Sequence, residues 1–146
     1  MPKRFTLAEA ERLLPEIEKI IREAVSLKNQ YEEAEQAIQL FAQRVAMQGG
    51  MVIDRDAVLQ QRAERDRIGE NLKAAVEHIQ EYGCVIKDLD IGLIDFPTLF
   101  HGKEVYLCWK LGESGISHWH GVDEGFAGRK PIDPDFIENH AGDRAN

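Results

Sequence analysis

The stretch from Leu13 to Val45, LLPEIEKIIREAVSLKNQYEEAEQAIQLFAQRV, decides the fold class. Its apolar residues recur in alternating steps of four and three: Leu13, Ile17, Ile20, Ala24, Leu27, Tyr31, Ala34, Ile38, Phe41 and Val45. An unbroken heptad run of this kind is the signature of a long helix that meets a partner along one seam. In the first half the stripe widens to include Leu14, Ile21 and Val25, so that part is expected to touch more than one surface. Upstream, Thr6 and Glu9 form a capping box, in which the hydroxyl accepts from the Glu9 amide and the carboxylate reaches back to the Thr6 amide. Phe5 precedes the cap and is placed to staple onto Ala10. Pro15 cannot donate to the carbonyl of Glu11, so a kink is expected there, or a short helix followed by a long one. Gly49-Gly50 is expected to end the run. A helix over residues 7–47 would be about 60 Å long at 1.5 Å per residue, too long for the core of a small globule.

A second helix is expected from a cap at Asp54 or Asp56 to Tyr82, closed by the left-handed position that Gly83 supplies. Its apolar positions are Val58, Ile68, Leu72, Ala75, Val76, Ile79 and Tyr82, whereas Gln60 to Arg67 offers only Ala63. The connection is short, so the two helices should run antiparallel, with the polar middle towards the distal end of the hairpin. Arg55, Arg62, Arg65 and Arg67 are interleaved with Glu64, Asp66 and Glu70, which reads as a salt-bridged helix surface rather than an anion site. His78 reads as structural or surface. The wide stripe of the first helix needs a second contact, either a sheet or another copy of the chain. Self-association through the helices is the expected partnership.

After Gly83 the helical period disappears, and eight of the twelve glycines lie from Gly83 to Gly128. Cys84–Leu89 and Gly92–Pro97 read as strands, the second ended by Pro97, which cannot donate to a ladder. Phe100–Lys103 reads as a turn. Glu104–Leu111 alternates, with Val105, Leu107, Trp109 and Leu111 on one face and Tyr106, Cys108 and Lys110 on the other. A turn at Gly112–Gly115 leads to a last strand, Ile116–His120. The expected fold is α+β: a long antiparallel, coiled-coil-like helical hairpin followed by a small antiparallel sheet of three to four strands. It is expected to form one domain over residues 1–131, with the hairpin at 1–83, sheet and loop at 84–131, and a flexible tail at 132–146.

Composition narrows the function classes. Of the 146 residues, 43% are hydrophobic and 30% charged, enough for a core carried with long exposed helices. The net charge of −8 repels phosphate backbones, so nucleic acid is not an expected partner. Two cysteines without CxxC spacing, Cys84 and Cys108, read as reduced thiols rather than a disulfide framework. Met1 to Thr6 lacks the apolar segment of a secretion signal, and no run approaches the roughly 20 apolar residues of a membrane span. A soluble cytoplasmic protein with no membrane partner is expected.

Gly92-Leu-Ile-Asp-Phe-Pro97, Leu107-Cys-Trp-Lys-Leu-Gly-Glu113, Trp119-His120, Gly125-Phe-Ala-Gly-Arg129 and Pro131 follow one another in an order that resembles a bacterial family of uncharacterised proteins, the domain of unknown function family 2203. Thr6 to Pro15 resembles the start of the same family. The resemblance covers nearly the whole chain up to Pro131 and implies a bacterial, cytosolic, stand-alone domain. It implies no activity, so it assigns no catalytic residue.

The residue types able to do chemistry gather between Gly92 and Pro131. His118 and His120, two apart on a strand, project from the same face and are candidate metal ligands. Glu113, in the preceding turn, is the first choice of third ligand, ahead of Asp95, Asp123, Glu124 or Cys108. A divalent transition metal such as zinc suits such a set, and three protein ligands plus water would permit hydrolysis. The competing expectation is that one histidine hydrogen-bonds an adjacent carboxylate while the other faces solvent. Asp95 lies in an apolar run and needs a partner if buried. Arg129 is the expected one, in a clamp tying the loop to the sheet. Asp95, Arg129, Trp109 and Trp119 are together the candidate residues for a small-molecule ligand. Cys108 with His118 as nucleophile and base is a further pairing that nothing local singles out. Two functions follow: a non-catalytic interaction or assembly domain built on the hairpin, or a metal- or small-ligand-binding domain, in one form a metal-dependent hydrolase.

Overall fold

The computed structural model describes residues 3–48 and 55–143 of the chain. Leu7–Met47 forms helix α1 and Arg55–Glu81 helix α2, packed on each other. Glu35 meets Arg65 and Tyr31 lies beside Gly69, so the two helices run antiparallel. The expected ends at Gly49-Gly50 and the expected cap at Asp54 lie outside the described residues. Asp56 falls in the first turn of α2. Beyond Glu81, Gly83 takes φ +97°, and a Cβ there would stand 2.7 Å from that of Lys3, so both conformation and space require glycine.

The capping box forms: Glu9 N donates to Thr6 Oγ1 at 3.1 Å and Thr6 N donates to Glu9 Oε1 at 3.0 Å. Pro15 lies inside α1, which continues through it without the expected division into two helices. A proline in a helix interior costs about 3 kcal/mol. The adjoining Leu14 and Ile17 are both buried, and each contributes roughly 1.5–3 kcal/mol by leaving water, which offsets that loss.

The Glu9 carboxyl is held below its ordinary value of 4.5, first by the Thr6 backbone N–H. A depressed folded pKa gives stability that is present above the ordinary value and lost as pH falls through the folded one. Thr6→Ala is therefore expected to cost about 1 kcal/mol at neutral pH. Glu9→Gln is expected to flatten the acid limb of the stability curve. Urea unfolding at neutral and acidic pH checks both, and an unchanged acid limb in Glu9→Gln would count against the linkage.

The sheet is antiparallel throughout. Its strands are Val85–Asp88 (β1), Leu93–Phe100 (β2), Lys103–Lys110 (β3), His118–Gly121 (β4) and Lys130–Pro131 (β5), in the order β1-β2-β3-β4-β5. A short helix, Pro134–Asn139 (α3), leads to His140–Ala141 (β6), which pairs with the far end of β2. Among the described residues there are thus six strands rather than three to four. The extra two have two residues each, too few for an alternation to show in the sequence. Pro97 does not end β2. Its carbonyl accepts from Phe5 N at 2.7 Å, on the side of β2 away from β3, so its ring nitrogen also faces a side where the β2–β3 ladder needs no donor.

Ile94, Phe96, Leu107 and Trp109 are fully buried in one core with Ile17, Ile21 and Ile79 of the helices. Residues 132–143, expected to belong to a flexible tail, are docked on the fold instead. Phe136 of α3 is 0% exposed and belongs to the same core. Leu7 N donates to His140 Nε2 at 2.9 Å, and Asp143 exchanges hydrogen bonds with Arg4. A Cβ on Gly142 would come within 2.8 Å of Thr6 N, so the segment lies directly against the start of α1. A single buried aromatic, with Asp133 capping the helix and Pro134 opening it, anchors what lacks any longer apolar pattern.

Candidate functional site

Strand register builds the site. Asp95 on β2 lies opposite Cys108 on β3, and on β4 His118 lies opposite Cys108 and His120 opposite Tyr106. All five therefore point from the sheet face turned away from the helices. Asp95, Cys108 and His120 are 0%, 0% and 2% exposed, and each offers a ligand atom within 4.8 Å of the others.

Hydrogen bonding restricts the state of His120. Its Nδ1 is 2.8 Å from the carbonyl of Gly121. A carbonyl only accepts, so Nδ1 carries a proton. Its Nε2 is 3.0 Å from Asp95 Oδ1, so that contact shares one further proton between imidazole and carboxyl. Burial pushes the Asp95 carboxyl above its ordinary value, with the His120 hydrogen bond pulling the other way. Asp95 Oδ2 has no partner of ordinary hydrogen-bond geometry, although the neighbouring Cys108 thiol weakly favours the carboxylate. Burial, reinforced by Asp95, pushes the Cys108 thiol to about 12, so it remains protonated and is no ready nucleophile, for His118 or any other base.

The other expected site residues are dispersed. His118 shares its face with His120 but is half-buried, and its Nδ1 meets Ser117 Oγ at 2.8 Å. Glu113 accepts from Lys110 N at 2.7 Å and from Arg129 Nη2 at 2.9 Å on both oxygens. The set His118, His120 and Glu113 is therefore not assembled, because the Glu113 side chain folds back to close the end of β3. Arg129 does not clamp Asp95. It takes Glu113, reaches the Cys108 carbonyl at 3.5 Å, and stacks over Phe126. Asp95 is instead satisfied on one oxygen by His120, so one histidine binds a carboxylate while the other is partly exposed to solvent. Glu124 is held by Lys130 at 2.6 Å, and Asp123 is exposed.

Trp109 is fully buried on the helix-facing side, where its indole N–H donates to Glu113 O at 3.0 Å. Trp119, opposite Leu107, is on that same side and packs against Phe100 and Phe136 under the Lys130 ammonium. The tryptophans thus lie on the other face from Asp95, and the four expected ligand-binding residues do not line one pocket.

A second candidate surface lies along the distal hairpin. The buried residues of α1 end at Leu27 and those of α2 begin at Ile68. Between these limits Tyr31, Ala34, Ile38, Phe41, Val45 and Val58 are only half-buried, while Leu40 and Leu59 are 48% and 61% exposed. Ile38, Phe41, Val45 and Val58 line a groove of about 240 Å³. Among the described residues, no helix is long and apolar enough to cross a membrane.

A family model described as "Uncharacterized conserved protein (DUF2203)" matches residues 3–132. No curated protein and no solved structure matches the chain.

Proposed function

From the premise that the chain belongs to the DUF2203 family, whose description carries no activity, we propose that it is a non-catalytic assembly domain that self-associates through the distal half of its helical hairpin. One observation carries this reading. The heptad seam of α1 continues from Tyr31 to Val45 beyond every residue that the chain itself buries on that helix. The facing stretch of α2, Gln60 to Arg67, supplies little apolar surface to cover it.

A second copy fits the seam better than an unrelated partner. Two hairpins related by a two-fold axis would present the same stripe to each other, completing a four-helix bundle. Exposed charge supports an antiparallel arrangement. Glu32 and Glu33 lie at mid-hairpin, and Arg44, Arg55 and Arg62 lie towards the tip, so opposite charges would face across the axis.

Phe41 and Leu59 are outside the core, which makes them safe positions to test. A dimer is expected by sedimentation at tens of micromolar protein, and Phe41→Glu with Leu59→Glu is expected to give a folded monomer. Loss of such central apolar contacts should weaken the dimer by about 100-fold or more. A monomeric wild-type chain at that concentration, or a variant that remains dimeric, would overturn the proposal.

A further inference from the structure

We infer that Asp95, Cys108 and His120 bind a single divalent transition-metal ion of the zinc type, seated across β2, β3 and β4 on the sheet face away from the helices. Three consecutive strands deliver one oxygen, one sulfur and one nitrogen to a fully buried point. The set differs from the first choice read from the sequence, His118, His120 and Glu113: His120 stays, and Asp95 and Cys108, there alternatives for a single third ligand, both join it; it owes nothing to the hairpin.

The spacing is close to that of a coordination shell. Bonds of about 2.0–2.3 Å in a tetrahedron place ligand atoms roughly 3.3–3.8 Å apart. Here one edge, His120 Nε2 to Asp95 Oδ1, is 3.0 Å and all ligand atoms lie within 4.8 Å. Small side-chain rotations close the difference. His120 is also oriented as a ligand: its Nδ1–H is committed to the Gly121 carbonyl, which aims Nε2 into the cluster. Metal-binding histidines characteristically donate their second nitrogen in this way.

Hydrogen bonding of ordinary geometry serves only one oxygen of Asp95, and the thiol adds no more than a weak contact with the carboxylate. Asp95 Oδ2 is buried without a partner of ordinary geometry, and the Cys108 thiol is enclosed beside it. An ion held by the Asp95 carboxylate and the Cys108 sulfur gives both groups a partner. The thiol selects zinc and its neighbours over magnesium or calcium, which prefer oxygen alone.

Charge balance also fits. Without metal the cluster carries one proton on the thiol and one shared between Asp95 and His120, and is neutral. The ion displaces both: M²⁺ enters, two H⁺ leave, and a thiolate, a carboxylate and a neutral imidazole hold a dication with no net charge. The buried site is thus spared an uncompensated charge in either state. Neither nearby cation pairs with the cluster's ligand atoms: Arg129 binds Glu113 and Lys87 lies over the Tyr106 ring, and each acts on the cluster only as a neighbouring charge. Three protein ligands leave a fourth position for water or a small ligand.

The test is titration of untagged, chelator-stripped protein with Co²⁺, followed by Zn²⁺. One Co²⁺ per chain is expected, with a thiolate-to-cobalt charge-transfer band that Zn²⁺ abolishes by displacement. Calorimetry in two buffers of different ionisation enthalpy should count two protons released per ion. Asp95→Asn preserves side-chain shape and should weaken binding by more than the ~10–100-fold typical of losing an outer-shell partner. Cys108→Ser should remove the band, and His118→Ala should change neither affinity nor spectrum. The inference is overturned if folded wild-type protein shows no band and binds Co²⁺ and Zn²⁺ no tighter than micromolar. It is equally overturned if Asp95→Asn and Cys108→Ser, folded, bind as the wild type does, or if His118→Ala abolishes binding. Should either cluster variant fail to fold, the wild-type and His118→Ala titrations still decide.

Discussion

His120→Ala is expected to destabilise the fold by about 3–5 kcal/mol at neutral pH, because it leaves a buried carboxylate without its partner. Asp95 is 0% exposed, and His120 Nε2 makes the one hydrogen bond of ordinary geometry to its oxygens among the described residues. The pH dependence separates this charge effect from a simple cavity. Burial raises the folded pKa of Asp95 above its ordinary 3.8, so its contribution is most favourable below that value and is lost as pH rises through the folded one. His120 restrains this rise, and removing it sends the carboxyl higher still. The deficit of His120→Ala should therefore be largest at neutral pH and shrink as the solution is acidified and Asp95 takes up a proton. Denaturant unfolding in the presence of chelator, at neutral and mildly acidic pH, measures it without any contribution from metal. A deficit that does not vary with pH would mean that lost packing dominates. Replacing both partners, Asp95→Val with His120→Leu, should recover much of the loss, since an apolar pair leaves no polar group unsatisfied.

The same pair shows where the sequence stops being informative. The alternation from Val105 to Leu111 places Cys108 on one face and Trp109 on the other, and the i, i+2 spacing puts His118 and His120 together; the strands agree with both. The partner of Asp95 depends on the register among three strands. A slip of one residue in β2 would bring Ile94 opposite Cys108 and reverse the faces. No local pattern in a single chain specifies that register. Glu113 is still less legible, because a turn residue has no period to fix its direction, and here it folds back onto Lys110 N and Arg129. The helices are the converse case. Heptad spacing is local information, and it correctly anticipates α1 from its cap at Thr6 to Met47, although tertiary burial overrides the break expected at Pro15. Asp133-Pro134 was a readable helix start, with a side-chain cap followed by proline in the first turn. A six-residue helix contains too few apolar positions for periodicity to reveal that it docks.

The docking of that helix gives the second large expected effect: Phe136→Ala should cost about 3–5 kcal/mol, the usual range for emptying a buried phenylalanine site. Phe136 is fully buried and its ring lies 4.8 Å from that of Phe100, 5.2 Å from Trp119 and 5.3 Å from His140. More than a cavity is at stake. His140 accepts from Leu7 N at the first turn of α1, and the pairing of β6 with Leu99 and Phe100 covers the edge of β2. If Phe136 is the anchor, its loss should free both, raising hydrogen exchange at the Leu7 amide and shifting Trp119 fluorescence to the red. Phe136→Leu should restore part of the stability by refilling volume, whereas His140→Phe should keep the stack and lose the bond from Leu7 N together with those from Nδ1 to the Phe136 and Ile137 carbonyls, about 1 kcal/mol for each bond lost. Removing residues 133–146 tests the segment as a unit. It is expected to destabilise at least as much as Phe136→Ala, even though the family match ends at residue 132. Unchanged thermal stability in the shortened chain would reduce the segment to a passive extension, and an unchanged Leu7 exchange rate in Phe136→Ala would uncouple the anchor from the helix start.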